Sequence, residues 1–125
     1  MKWKINDSSP IWMQLAEQLQ TEIISGGFPP GSRLPSVREF AAEAGVNPNT
    51  MQRALSELES RGLIVTNRTA GRNVTGDMEA IQKLRGEKVR QEVLGFLKKM
   101  EDLGFSSGEI RSVLEDTMKE KKEEV

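Results

Sequence analysis

The stretch from Leu34 to Gly76 restricts the fold more than any other part of the chain, because helix starts and stops follow one another closely within it. Ser36 is followed three residues later by Glu39, which is the spacing of a capping box, in which each side chain bonds the other residue's backbone N–H. Gly45 is the residue type that most readily ends such a helix in a left-handed conformation. The pattern therefore predicts a short helix between Ser36 and Gly45.

A second helix start follows directly. Asn47 is a favoured cap, and Pro48 is suited to the first helical position, where its missing N–H removes no hydrogen bond. A buried stripe at helical spacing is then expected from Met51, Ala54, Leu55 and Leu58. Two short helices joined by a turn that contains glycine form a helix-turn-helix, whose second helix has the dimensions to enter a DNA major groove. Capped helices and short turns also occur in any small helical domain, so these features alone leave DNA binding open.

A hairpin is predicted directly after the second helix. Gly62 ends that helix, and the residues that follow predict a strand at Leu63–Thr66, a turn at Asn67–Arg72 and a returning strand at Asn73–Thr75. A hairpin behind a helix-turn-helix is a wing. Leu34 is expected in a short strand that closes the sheet of this wing.

An amphipathic helix precedes this stretch. Ser9 is predicted to cap this helix, with Pro10 at its first helical position, and Gly26-Gly27 ends the run. One face of the helix is apolar and must be buried, and it carries Trp12, Leu15, Ala16, Leu19 and Ile23. The resulting order of helix, short strand, two helices and hairpin is a winged helix-turn-helix, a fold that is mainly α with a small β-hairpin.

Composition excludes several classes of function. The chain has no cysteine and no histidine, which excludes disulfides, the usual zinc sites and His-dependent catalytic triads. No carboxylates form a recognisable paired or metal-binding motif, so neither an enzyme nor a cofactor is expected. No apolar segment approaches the roughly 20 residues of a membrane span, and no signal peptide is evident. We therefore expect a cytoplasmic protein without a membrane partner.

The charge balance is nearly neutral in both parts of the chain. Residues 1–76 carry eight basic and seven acidic side chains, and residues 77–125 carry ten basic and twelve acidic ones. What matters for DNA is the face on which the charges lie, so the net charge of −1 neither supports nor opposes DNA binding.

A pattern of glycines, prolines and apolar residues runs through residues 10–66. It comprises Pro10-Ile11-Trp12 with Gln14 and Leu15, Ile23 to Gly27, Pro30-Gly31, Leu34-Pro35-Ser36 with Arg38, and Val46, Thr50, Ala54, Leu58 and Gly62. With this pattern the chain resembles the GntR family of transcriptional regulators. Two departures lie at the DNA face that the resemblance implies. Pro48 stands where members often have a basic residue, and Asn73 replaces the aromatic residue of the family's wing.

The resemblance implies a DNA-binding surface on the helix-turn-helix and the wing. Arg38 matches the arginine with which the family's first motif helix approaches DNA, and its i+3 and i+4 neighbours are alanines that offer no carboxylate. Asn47 is equally explained as a helix cap. For Arg68 and Arg72, at the expected tip of the wing, an ordinary solvated turn is the alternative. The residues expected to contact DNA are Ser36, Arg38, Asn47, Asn49, Thr50, Arg53, Arg68, Gly71 and Arg72.

Residues 77–125 are too few for a second full-sized core and predict a tail of two amphipathic helices. Gly104-Phe105 separates the helices, and Ser106 to Glu109 is a second capping box. The apolar stripes of the tail are expected to meet a second copy of the chain through Ile81, Leu84, Val89, Val93, Phe96, Met100, Ile110, Val113, Leu114 and Met118. In the alternative, both stripes fold back on the winged domain of a monomer. A two-helix tail of this length resembles the YtrA-like branch of the family.

These patterns predict a homodimer, with a winged helix-turn-helix DNA-binding domain at residues 1–76 and a dimerisation tail at residues 77–125. The resemblance implies a regulator that binds double-stranded DNA at an inverted-repeat operator, with repression as the expected effect and transporter genes as a target class. A small-molecule effector could bind between the tails, although no residue cluster indicates one. The alternative function is a winged-helix protein–protein interaction module that does not bind DNA.

Overall fold

The computed structural model describes residues 1–69 and 71–123 and confirms the winged helix-turn-helix architecture. In chain order, the elements in these ranges are α1 (Ile11–Ile24), α2 (Val37–Ala44), α3 (Pro48–Ser60), β1 (Ile64–Asn67), β2 (Gly71–Val74), α4 (Met78–Asp102) and α5 (Ser107–Glu123). The chain divides into two compact units, Met1–Arg85 and Gly86–Val125, so the first turns of α4 belong to the winged unit. Most of the described residues are helical, and the two strands form one small antiparallel hairpin.

The turn chemistry of the helix-turn-helix is as predicted. Ser36 Oγ accepts a hydrogen bond from the N–H of Glu39 at 3.1 Å, and Glu39 Oε1 accepts one from the N–H of Ser36 at 3.4 Å. Gly45 ends α2 in the left-handed region, with φ 70°. Asn47 caps α3 by accepting a hydrogen bond from the N–H of Asn49 at 2.8 Å. These local bonds fix where α2 ends and α3 begins.

Replacing Ser36 with alanine is expected to lower the free energy of unfolding by about 1 kcal/mol, because the Glu39 N–H loses its acceptor at the start of α2. Denaturant unfolding measures this change. Ser60→Ala is the matched control, since it removes an exposed hydroxyl from the last residue of α3 and should change stability by less than about 0.5 kcal/mol. An equal effect of the two substitutions would contradict the capping role.

The start of α1 differs from the prediction. Pro10 occupies the cap position instead of the first helical position, with an extended backbone of φ −53° and ψ 138°. No side chain caps this helix, so the predicted Ser9 cap is wrong. The carbonyl of Pro10 accepts hydrogen bonds from the N–H groups of Met13 and Gln14. The helix therefore begins one residue later, which leaves Ser9 outside the first turn.

The core of the winged unit lies where the three helices meet the hairpin. Phe40 is one of its largest fully buried side chains, and Trp3 and Phe28 contact it edge-to-face at centroid distances of 5.8 and 6.0 Å. The buried apolar side chains of this core are Leu15, Ala16, Leu19, Ile23, Leu34, Phe40, Ala41, Met51, Ala54, Leu55, Leu58, Leu63, Ile64, Val74 and Ile81. The predicted stripes of α1 and α3 are thus buried, except that Trp12 is only half-buried.

The wing is a tighter hairpin than predicted. Its register pairs Ile64 with Val74 and Asn67 with Gly71, so the strands continue into the segment Asn67–Arg72 that was expected to be a turn. Ala70, in the predicted turn, lies outside the described residues. The expected closing strand at Leu34 is an isolated bridge between Arg33 and Asn73. Leu34 contributes its N–H, which donates to the carbonyl of Arg72 at 2.9 Å.

The second unit contains the remainder of α4 and all of α5. Gly104 separates the two helices at φ 86°. The predicted second capping box is present, since Ser106 N–H donates to Glu109 Oε1 at 3.1 Å and Glu109 N–H donates to Ser106 Oγ at 3.3 Å. Hydrogen bonding to the backbone and then the side chain of Ser106 lowers the pKa of the Glu109 carboxyl. The cap therefore holds while Glu109 is ionised and weakens as the pH falls through that lowered pKa.

Candidate nucleic-acid interface

Five arginines between residues 33 and 72 have no carboxylate partner among the described residues, and they are Arg33, Arg38, Arg53, Arg68 and Arg72. Arg61, after the end of α3, shows the contrast. Its guanidinium lies 3.2 Å from Glu17 Oε1 and 3.1 Å from Glu57 Oε1, and it also donates to Gln20 Oε1 at 2.7 Å. The carboxylates near α3 therefore neutralise the arginine after its C-terminal end and leave the other five without a carboxylate partner.

Arg38 lies in the first turn of α2, directly after the capping box. Its side chain is exposed, and it makes no hydrogen bond or ion pair with any described residue. Ala41 and Ala42 occupy the positions one turn later, so the helix itself supplies no partner. Ser36, at the cap of the same helix, is also exposed.

The start of α3 presents the polar side chains that were predicted to face DNA. Asn49 is exposed and Thr50 is half-buried. Asn47 uses its side-chain oxygen as the cap, which leaves its amide N–H groups as donors. Arg53 is exposed, and its guanidinium carbon lies 4.2 Å from the centroid of the Trp12 ring on α1. The four predicted residues thus lie at the cap and in the first two turns of α3, and Arg53 is the one that stacks on α1.

The two wing arginines occupy different environments. Arg68 is exposed in the turn, as predicted. Arg72 is not at the tip, because β2 begins at Gly71 and includes it. Its Nη2 donates to Gln52 Oε1 of α3 at 3.1 Å, and its Nε is buried without a hydrogen-bond partner in the described part of the chain. Placing Arg72 at the wing tip is therefore wrong, and this arginine instead connects the wing to α3.

Sequence reasoning missed two residues of this surface, Arg33 and Gln52. Arg33 pairs with Asn73 at the bridge, and its guanidinium lies over Gly71, which adopts φ 73°. The sequence did contain a signal for Arg33. Side chains in an extended segment alternate between two faces, so the residue beside the buried Leu34 is expected to be exposed. Gln52 had no comparable signal, since its contact with Arg72 depends on how the wing packs against α3.

The tail carries a row of exposed apolar side chains, with fractional exposures from 39% to 64%, at Val89, Val93, Phe96, Val113, Leu114 and Met118. Met100 is half-buried. Ile110 is buried. Ile81 is also buried, and Leu84 packs against the core of the winged unit. These last two were expected at a dimer interface, but they belong to the winged unit because α4 begins inside it.

Two negative findings concern residues 1–69 and 71–123. No helix in these ranges combines the length and the apolar character that crossing a membrane requires. No group of acidic side chains in the same ranges is arranged to hold a metal ion.

A winged helix-turn-helix whose two motif helices and wing carry arginines without carboxylate partners is typical of the class of winged-helix DNA-binding proteins. Residues 13–74 match the model of bacterial regulatory proteins of the gntR family. The HTH-type transcriptional regulator YhcF of Bacillus subtilis (strain 168) is 36% identical to this chain over 107 residues. The match covers 86% of this chain and 88% of YhcF. The chain belongs to the GntR family of transcriptional regulators.

Two further comparisons agree with this family. The HTH-type transcriptional repressor YtrA of the same organism is 44% identical over 64 residues, which cover 51% of this chain and 49% of YtrA. A GntR family transcriptional regulator from Listeria monocytogenes superposes with a TM-score of 0.84 at 36% identity, covering 90% of this chain and 98% of that chain. The predicted resemblance to the YtrA-like branch is confirmed, and these relatives are transcriptional regulators and not enzymes.

Proposed function

We propose that the chain acts as a homodimer that binds an inverted-repeat DNA operator and represses transcription. The observation that supports this most is the set of five arginines without carboxylate partners on the helix-turn-helix and wing. Guanidinium groups bind phosphate oxygens through paired N–H donors, and contacts of this kind fix a protein's register on a duplex. Asn47, Asn49 and Thr50 at the start of α3 then contact base edges, which supply the sequence specificity.

The proposed dimer is supported by the exposed apolar row of the tail. The six large apolar side chains of this row are between 39% and 64% exposed, and exposed apolar surface of this kind marks an interaction site. A second copy of the same row is an occupant of matching chemistry, and pairing through a two-fold axis presents two identical DNA-binding units to two half-sites. The tail is therefore the proposed dimerisation element.

The proposed division of labour places DNA binding in residues 1–76 and dimerisation in residues 77–125. The structural division at Arg85 supports a similar boundary, with the first turns of α4 serving the winged unit. Repression as the sign of regulation is supported by the name of the related repressor YtrA. We further propose transporter genes as targets, a cytoplasmic location and a small-molecule effector that acts at the tail.

Selection of bound sequences from a random oligonucleotide pool tests the function directly. We expect enrichment of an inverted repeat whose half-site centres lie about 34–36 Å apart or a multiple of that spacing. With the selected duplex, the logarithm of the binding constant should fall linearly with the logarithm of the salt concentration. No enrichment together with no steep salt dependence would instead favour a protein–protein interaction module.

A further inference from the structure

A cation–π contact joins helix α3, the second helix of the helix-turn-helix, to helix α1. The guanidinium carbon of Arg53 lies 4.2 Å from the centroid of the half-buried Trp12 ring, well within the range of about 6 Å for this interaction. Arg53 is itself exposed and has no carboxylate partner among the described residues. The arginine is therefore held by an aromatic face and keeps its charge unneutralised.

Stacking on a ring leaves the guanidinium able to bind an anion. Its N–H groups point outward in the plane of the group, so a ring beneath that plane does not occupy them. A carboxylate partner would use those donors and cancel the charge that a phosphate needs. An arginine without any contact loses side-chain conformational entropy when it binds an anion. Stacking on the ring restricts the side chain beforehand and therefore reduces this entropic cost.

The neighbouring position on α3 is fixed from another side. Gln52 accepts a hydrogen bond from Arg72 of the wing at 3.1 Å and donates to Ser56 Oγ at 3.2 Å. Consecutive side chains of α3 are thus held by two different elements, the wing for Gln52 and α1 for Arg53. The contact with Trp12 orients Arg53 independently of the wing, so its effect can be measured separately.

We propose that Trp12 is a positioning residue for DNA binding, which orders the guanidinium of Arg53 for contact with a DNA phosphate. This inference rests on the proposed function, because it requires that α3 lie against DNA. Trp12 itself touches no DNA in this scheme and acts only through Arg53.

The test is a double-mutant cycle on the full chain, with a random-sequence duplex as the probe and affinity measured over a series of salt concentrations. Arg53→Ala should lower the affinity and reduce the slope of log affinity against log salt by about 0.9, the value for one phosphate contact. Trp12→Leu should lower the affinity about three- to tenfold, since Arg53 must then be ordered on binding. Trp12→Phe, which keeps a ring under the guanidinium, should retain most of the affinity that Trp12→Leu loses.

The decisive result is the effect of Trp12→Leu when Arg53 is already alanine. We expect no further loss of affinity in that background, because the only role of Trp12 in binding has been removed. An undiminished loss there would overturn the inference, since Trp12 would then act through the fold. Full affinity of Trp12→Leu beside an intact Arg53 would also overturn it.

Failure of the unmodified protein to bind duplex DNA would instead refute the proposed function. If Trp12→Leu does not fold, the same cycle with Trp12→Met, which also removes the ring, decides the question.

Discussion

A glutamate in place of Val93 is expected to abolish dimerisation and to weaken binding to the selected inverted repeat by at least about 100-fold. Val93 is 48% exposed within the apolar row of the tail, and in the proposed dimer it becomes buried. A carboxylate that is buried without a partner is strongly unfavourable, so the two copies should separate. Each protomer would then bind one half-site without the gain in effective concentration that the linked second site provides.

Sedimentation or light scattering measures the association, and titrations against the full repeat and against a single half-site measure the binding. Gln91→Glu is the matched control, because it adds the same charge to an exposed position about 200° around α4 from Val93. It should leave both properties unchanged. Binding of the Val93 variant to the half-site should equal that of the unmodified protein. A dimer that persists with glutamate at this position would contradict the proposed interface.

Replacing Arg38 with alanine is expected to weaken operator binding by about 10- to 100-fold, the effect of losing a charge-assisted contact. The side chain is exposed and has no partner among the described residues, so its removal leaves no buried group unsatisfied. The free energy of unfolding should accordingly change by less than about 0.5 kcal/mol. Binding isotherms and denaturant unfolding of the same variant measure the two effects.

Arg90→Ala removes the same charge from an exposed position of the tail and serves as the control. A similar loss of affinity in both variants would indicate a general effect of net charge. An unaltered isotherm for the Arg38 variant would exclude this residue from the DNA interface. The comparison therefore separates a specific contact from long-range electrostatic attraction.

The features predicted correctly from sequence depend on residues that are close together in the chain. The capping box of Ser36 and Glu39 and the cap at Asn47 form within one helical turn, and their hydrogen bonds are present as expected. The burial of the α3 stripe follows from helical periodicity, which needs no knowledge of the partner element. Local chemistry of this kind was enough to predict the winged helix-turn-helix.

The features that were missed depend on packing between distant segments. The stack of Arg53 on Trp12 and the bond between Arg72 and Gln52 require the relative placement of α1, α3 and the wing. The Ser9 cap failed for a local reason, because Pro10 is also compatible with the cap position and its extended backbone delays the helix by one residue. Burial of Ile81 could not be read from its apolar character, which suits a dimer interface equally well.

The burial of Ile81 also determines how much of the chain the winged unit needs. Ile81 is part of the core of the winged unit although it lies after the wing in the sequence, so this unit is longer than its helix-turn-helix and hairpin. A recombination event that joined a foreign tail directly after Gly76 would remove this side chain and leave a cavity in the core. A junction after Arg85 would retain it, which makes the residues beyond the second turn of α4 the natural place for one tail to replace another.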